Sequence, residues 1–503
     1  MIDDTSSLIP MPPLSEITDS DRSLPVRTEK SPTGSTGPRV VDRLLVTTVA
    51  SDDEGSREAK ERQEPQSIAK VRLITVVDSL LMALVLMAPL SGLETIKNSI
   101  SADGFKTTSI VRETSRYRVV WQALTGCTIL VAAVSVCLHL ATPRDPDGDE
   151  PSLTHRYLYA ALMIWWGVQA LRMIAAEPSS VARLQFWVIP AVYTAAYSQR
   201  LSYERIYSIF EWFVRLSTAG VVALMLIAPT LVTEPGYRGI LPFMPFRLHG
   251  FYAVGYHMAF LVAAFWLLPI PDHLRGFRPI RLMSGGCNVA VFVLTQGKAV
   301  YLLFVIGWVI KRLANYYLAT GRRPLTSMLP WLLTLGALTG LLMIPEVIRG
   351  VADLTDIPLE ELLSMTGRTD IWHVMIDDSR DSWVFGKSPS SWEDVGWSLR
   401  FRRNLVIPHA HNQFVQMLWE CGIVGCAALT LYIAVFFWRL SALAARLLPG
   451  VLAVAVLLWM RTATEVFFGI LSAGTVLMTV HFVLFMIMSL PATPEDSSSH
   501  DLA

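Results

Sequence analysis

Stretches of about twenty mostly apolar residues recur along this chain, the length an α-helix needs to cross the hydrocarbon core of a bilayer. They lie near residues 73–92, 118–141, 156–176, 184–199, 211–232, 249–270, 280–296, 299–317, 326–346, 413–438, 445–463 and 467–490. Twelve such runs in 503 residues leave little room for a soluble domain and predict an all-α, polytopic membrane protein. Composition agrees: 52% of residues are hydrophobic and 17% charged, against about 25% charged in soluble domains. The formal net charge is zero, so nothing points to nucleic acid, which would need a basic face.

The remaining segments divide the chain. Residues 1–66 are rich in Pro, Ser, Asp and Arg and read as a disordered cytoplasmic tail. Residues 67–490 form the membrane domain, and 491–503 a short polar tail. The five cysteines, Cys127, Cys137, Cys287, Cys421 and Cys426, fall in or beside apolar runs and read as small core hydrophobes.

Short-loop charge sets the orientation, because Lys and Arg accumulate on the cytoplasmic side. With the N-terminus inside, the inner loops hold Arg200, Arg205, Arg275, Arg278, Arg281, Lys311, Arg312, Arg322, Arg323, Arg439 and Arg446; the outer ones hold fewer. One loop dissents. Residues 93–117 should be outside yet carry Lys97, Lys106, Arg112 and Arg116, which an early miscounted helix would explain. The same parity puts a large polar loop, residues 347–412, outside between the ninth and tenth spans. Loops of this length are usually functional. Within it, Ile371, Trp372, Met375 and Ile376 share one face of a short helix expected from Arg368 to Asp377.

Three outer clusters carry the chemistry. The long loop has Gly367-Arg368-Thr369-Asp370-Ile371-Trp372, a glycine turn at Gly386, then His409-Ala410-His411-Asn412 and Glu420-Cys421-Gly422. A helix junction has Thr295-Gln296-Gly297-Lys298, and another helix start has Arg247-Leu248-His249-Gly250. Arginine grips diphosphate oxygens as a fork, and a histidine titrating near neutrality can take a hydroxyl proton.

The pattern Gly-Arg-x-x-x-Trp, glycine turn, His-x-His-Asn, Glu-x-Gly resembles the O-antigen ligase and O-antigen polymerase superfamily over roughly residues 200–490. Thr295-Gln296 resembles that family's Thr-x-Ser-Arg helix start, and Arg247-x-x-Gly250 its Arg-x-x-Gly motif. The resemblance implies a membrane glycosyltransferase acting outside the cytoplasmic membrane, with no cofactor and no metal. Its donor would be a polyprenyl-diphosphate-linked glycan, its acceptor a glycan or lipid-glycan, with membrane lipid as the surrounding partner. His411 would be the general base, with His409 second. Arg368, then Lys298, then Arg247 would stabilise the departing diphosphate, and Asn412, Trp372 and Gln296 would bind substrate. The chain departs from the family in having Lys298 where Arg is common and Gly255-Tyr256 where Pro-Asn is common.

Blander readings stand beside these. Outer-loop histidines are often merely solvated, and Arg368, Lys298 and Arg247 sit where long cations snorkel to headgroups. Trp372 also reads as an interfacial anchor. Of the carboxylates in apolar segments, Asp78 and Glu211 read as structural, and Glu465 as an internal ion pair with Arg461, one turn earlier. The rival from another class is a twelve-helix transporter, which would show two related halves around a central loop. A third is a non-catalytic scaffold for polysaccharide assembly.

Overall fold

The computed structural model describes residues 54–87, 95–100, 106–111, 116–142, 153–235, 244, 246–250, 256–274, 279–322, 324, 368–389, 410–462, 465–466 and 476–490. By its contacts the chain divides into residues 1–61 and 62–503. The first unit contributes only the opening of one helix to these residues.

The described chain is helical with two short hairpins. Helix α1 (Glu54–Met87) leads to a hairpin of β1 (Thr95–Ile100) and β2 (Lys106–Val111). There follow α2 (Arg116–Ala141), α3 (Leu153–Ala176), α4 (Leu184–Ser198) and α5 (Tyr203–Ile227). A second hairpin, β3 (Thr233–Pro235) with β4 (Phe246–Leu248), precedes α6 (Tyr256–Leu267), α7 (Pro279–Leu294) and α8 (Lys298–Ala319). Then come α9 (Arg368–Asp378), α10 (Gln413–Ser441), α11 (Leu448–Arg461) and α12 (Val476–Met488).

Among the described residues, five helices are long and apolar enough to cross a membrane: Gln122–Ala141, Leu153–Ala176, Tyr203–Ile227, Ala299–Ala319 and Gln413–Ser441. Only 28% to 39% of each apolar stretch is buried inside the protein. Large apolar side chains such as Leu130, Leu171, Leu216, Leu302 and Leu431 are exposed on their outer faces. Such surface is stable only against lipid, and the chain is a multi-pass membrane protein.

Of the other expected spans, some are described only in part. The shorter apolar helices α6, α11 and α12 have 12, 14 and 13 residues, a reach of about 18 to 21 Å. In the run at 249–270 the described helix is Tyr256–Leu267, while the backbone N–H groups of His249 and Gly250 both turn back onto the Val232 carbonyl beside the second hairpin. The run at 326–346 lies outside the described residues, as do 347–367 and 390–409 of the large loop. Helix α1 starts at Glu54, inside the expected tail, where Glu, Ala, Lys and Arg favour helix. Between α1 and α2 the described residues form a hairpin rather than a further helix. Thr, Ile and Val in Thr95–Ile100 and Lys106–Val111 favour pairing, and Thr95 lies opposite Val111. Cys127 and Cys137 are exposed rather than in the core, since the outer face of a membrane helix is itself apolar.

Helices α8 and α11 pack closely, as do α5 with α7, α3 with α10, and α2 with α4. Several buried polar groups are partnered, as an apolar environment favours. His481 of α12 is bridged by Tyr193 of α4 at 2.5 Å and Tyr432 of α10 at 2.7 Å. Asp78 of α1 accepts from Ser135 at 2.6 Å and lies 3.1 Å from His139 Nε2, both on α2. Glu211 pairs with Arg215 and with Arg281, the latter at 3.6 Å.

Candidate active site

Antiparallel alternation brings the ends of α5, α7 and α11 to the same side of the bundle as the starts of α6, α8 and α10. The three sequence clusters meet there through named contacts. Gln296, between α7 and α8, donates its amide to the Phe246 carbonyl of β4 at 2.7 Å. Gly297 packs against Tyr256 at the start of α6, where an added Cβ would lie 3.4 Å from the tyrosine Cβ. The Tyr256 hydroxyl donates to Glu465 Oε1 at 2.7 Å. Arg461, at the end of α11, reaches the same oxygen at 3.3 Å and lies over the Tyr256 ring, 4.4 Å from its centroid. The other oxygen, Glu465 Oε2, stands 3.7 Å from His411 Nδ1.

His411 is held by its backbone. It takes φ 53°, in the left-handed region, a conformation a non-glycine residue keeps only when its surroundings impose it. They do. The preceding Ala410 carbonyl accepts from the Trp372 indole at 2.7 Å, and the Ala410 N–H donates to Gln416 Oε1 at 2.8 Å. The following Asn412 is the N-cap of α10: its Oδ1 accepts from the N–H groups of Phe414 at 2.9 Å and Val415 at 3.1 Å. Gln413 N–H donates to the Thr462 carbonyl at 2.8 Å, tying this start to the end of α11 and so to Glu465. Gln296 takes φ 49°, the same left-handed region, just before α8. Two strained non-glycine residues thus stand at neighbouring helix starts within one site.

Glu465 and Arg461 are 2% and 3% exposed, whereas the His411 side chain is 25% exposed. The acid is sunk and satisfied on one oxygen by a cation and a phenol. Its second oxygen faces an imidazole that solvent reaches.

The other candidates are placed as follows. Trp372, on α9, uses its indole N–H to fix Ala410 and packs with Ile371, Met375 and Trp419. Asn412 spends its carbonyl oxygen as a cap. Arg247 lies in the second hairpin and grips Glu234 through Nε at 3.1 Å and an Nη at 2.7 Å, so its charge is shared with that carboxylate. Lys298 and Arg368 are the first residues of α8 and α9; their side chains lie outside the described residues, and so does His409. Sequence reasoning left out Tyr256 and read Glu465 only as an ion pair with Arg461. An ionisable residue within an apolar segment was the available signal for Glu465. Its proximity to His411 depends on tertiary structure.

A multi-pass membrane protein with a histidine–carboxylate pair at the junction of its helix ends is the class these observations define. Residues 286–430 match the family model described as O-Antigen ligase. That stretch takes in Gln296, Lys298, Arg368, Trp372, His411 and Asn412; Arg247, Tyr256, Arg461 and Glu465 fall outside it. The match, with the apolar helices, supports a function in glycan transfer at a membrane and in polysaccharide biosynthesis. No curated protein matches the chain.

Proposed function

We propose that this protein transfers a glycan from a polyprenyl diphosphate carrier to a hydroxyl of an acceptor glycan, at the extracytoplasmic face of the cytoplasmic membrane. The observation that carries the reading is His411, locked in a left-handed backbone, with Nδ1 3.7 Å from the buried Glu465. His411 takes the proton of the acceptor hydroxyl. The oxygen attacks the anomeric carbon of the donor sugar, and the bond from that carbon to the diphosphate oxygen breaks. The diphosphate leaves on its polyprenyl chain. Glu465 stabilises the imidazolium formed in this step, while Arg461 and Tyr256 hold the carboxylate in place.

The departing diphosphate needs positive charge aimed at it. Within the described site Arg461 is balanced by Glu465 and Arg247 by Glu234. The reading therefore gives this work to Arg368 first, Lys298 second and Arg247 third. In a polymerase the acceptor is a second lipid-linked glycan; in a ligase it is a different one. Both reactions use the same groups. The face rests on the surplus of Lys and Arg in the opposite loops.

The test is transfer by purified, reconstituted protein from a polyprenyl-diphosphate glycan in the presence of EDTA. Product with released polyprenyl diphosphate supports the reading. If EDTA abolishes transfer and a divalent metal restores it, the arginine–lysine clamp is wrong. If Arg368→Ala transfers as fast as wild type, Arg368 is not part of it.

A further inference from the structure

The turn after α9 presents three successive large apolar side chains to the outside. Trp383, Val384 and Phe385 are 42%, 52% and 63% exposed. Its backbone is bound to α10. The carbonyls of Trp383 and Val384 accept from the N–H groups of Ile423 at 2.9 Å and Val424 at 3.3 Å. Lys387 N–H donates to the Trp419 carbonyl at 2.7 Å, and Gly386 N–H to the Ser382 carbonyl at 2.6 Å. These bonds exist because α10 breaks at Gly422, whose φ of 65° and ψ of −161° are not helical.

The depth of this turn follows from α10. Beyond its break at Gly422 the exposed side of α10 is one stripe, Ile423, Ala427, Thr430, Leu431, Ala434 and Trp438, at helical spacing, whereas before the break Phe414 is exposed. On a spanning helix such a stripe faces lipid. Toward the start of α10 the stripe would continue at Glu420, Trp419 and Gln416, but these are buried. Helix α9 packs along this part of α10, and the turn takes over the outward face. Counting back the roughly 20 residues a helix needs to cross the hydrocarbon from Arg439 puts the far boundary near residue 419. The turn meets α10 at residues 422–424, about 4 to 8 Å inside that boundary at 1.5 Å per residue. The charged groups of the same segment, the Asp378–Lys387 pair at 2.5 Å, belong at the boundary.

We infer that Trp383-Val384-Phe385 is a wedge inserted among the acyl chains of the membrane lipid. The four backbone groups named above are paired, which residence in hydrocarbon requires, and its side chains extend the lipid-facing stripe of α10. The wedge is independent of the proposed chemistry. The experiment uses the wild-type full chain in phospholipid nanodiscs, with a phosphatidylcholine carrying a diazirine high on its acyl chain. Lipid adducts are mapped by mass spectrometry, and hydroxyl-radical oxidation is mapped on a parallel sample. Adducts on 383–385 at a yield comparable with Leu431, and oxidation of Trp383 no higher than that of Trp438, are expected. Oxidation of Trp383 without adducts would put the turn in water. Neither adducts nor oxidation would mean that protein covers it, a second copy of the chain being the first candidate. Either result overturns the inference.

Discussion

At the scale of the residue, the account rests on how Glu465 divides its two oxygens. Oε1 is taken by Tyr256 and Arg461; Oε2 faces His411. Glu465→Gln keeps the shape and removes the charge that stabilises the imidazolium. It should lower kcat about 10- to 100-fold, within the range of losing general-base assistance, with little change in KM. Steady-state transfer kinetics measure this, and a change confined to KM would instead make Glu465 a substrate-binding group. Little of this pairing was legible beforehand. His411 stood out because it sits directly before a helix start in the long loop. Glu465 was visible only as an acid one turn from Arg461, because contact between the α10 start and the chain after α11 is made by folding.

At the scale of the element, two glycines interlock α10 with the turn that follows α9. A Cβ on Gly386 would meet the backbone of Glu420 and Cys421, and one on Gly422 the backbone of Val384. Both have positive φ, 68° and 65°, so alanine is strained at either position whatever space it finds. Each substitution should cost at least about 1 kcal/mol in thermal unfolding. The double variant should be non-additive by more than about 0.5 kcal/mol, as expected of residues in contact. Additivity would mean that the two glycines do not bear on each other.

The same junction is pH-sensitive. Burial pushes the Asp378 carboxyl up, but hydrogen bonds from Lys387 at 2.5 Å and Trp419 at 2.8 Å outweigh it and hold the acid below its ordinary value. The stabilisation is therefore complete above the unfolded value of about 3.9 and is lost as pH falls from there through the lower folded value. Pepsin should cut wild type within residues 383–385 only below about pH 3.9, and Lys387→Met at a higher pH than wild type. Equal cleavage of both at every pH would contradict the link. The helix Arg368–Asp378 was readable from its apolar spacing, one residue short of its end. The break at Gly422 was not, because it follows from the turn docked against it rather than from periodicity.

At the scale of the whole molecule, membrane residence was legible because apolar runs of spanning length need no tertiary information. Where a helix begins within a run was less legible, because a run can hold both a helix and a turn that builds the site, as at His249-Gly250 in the run that holds α6. The proposed orientation predicts that Asp381→Cys reacts with an impermeant maleimide in intact cells, whereas Arg322→Cys reacts only after permeabilisation. The reverse pattern would put the site on the cytoplasmic side and remove the extracytoplasmic reaction. The central claim is that His411 takes the acceptor proton in a glycan transfer. The most direct measurement is the single-turnover rate of polyprenyl diphosphate release by purified wild type and His411→Ala, at saturating donor and acceptor. The account predicts an intact, membrane-inserted variant whose rate is about 10² to 10⁴ lower. A variant that releases polyprenyl diphosphate and forms product at the wild-type rate would contradict it.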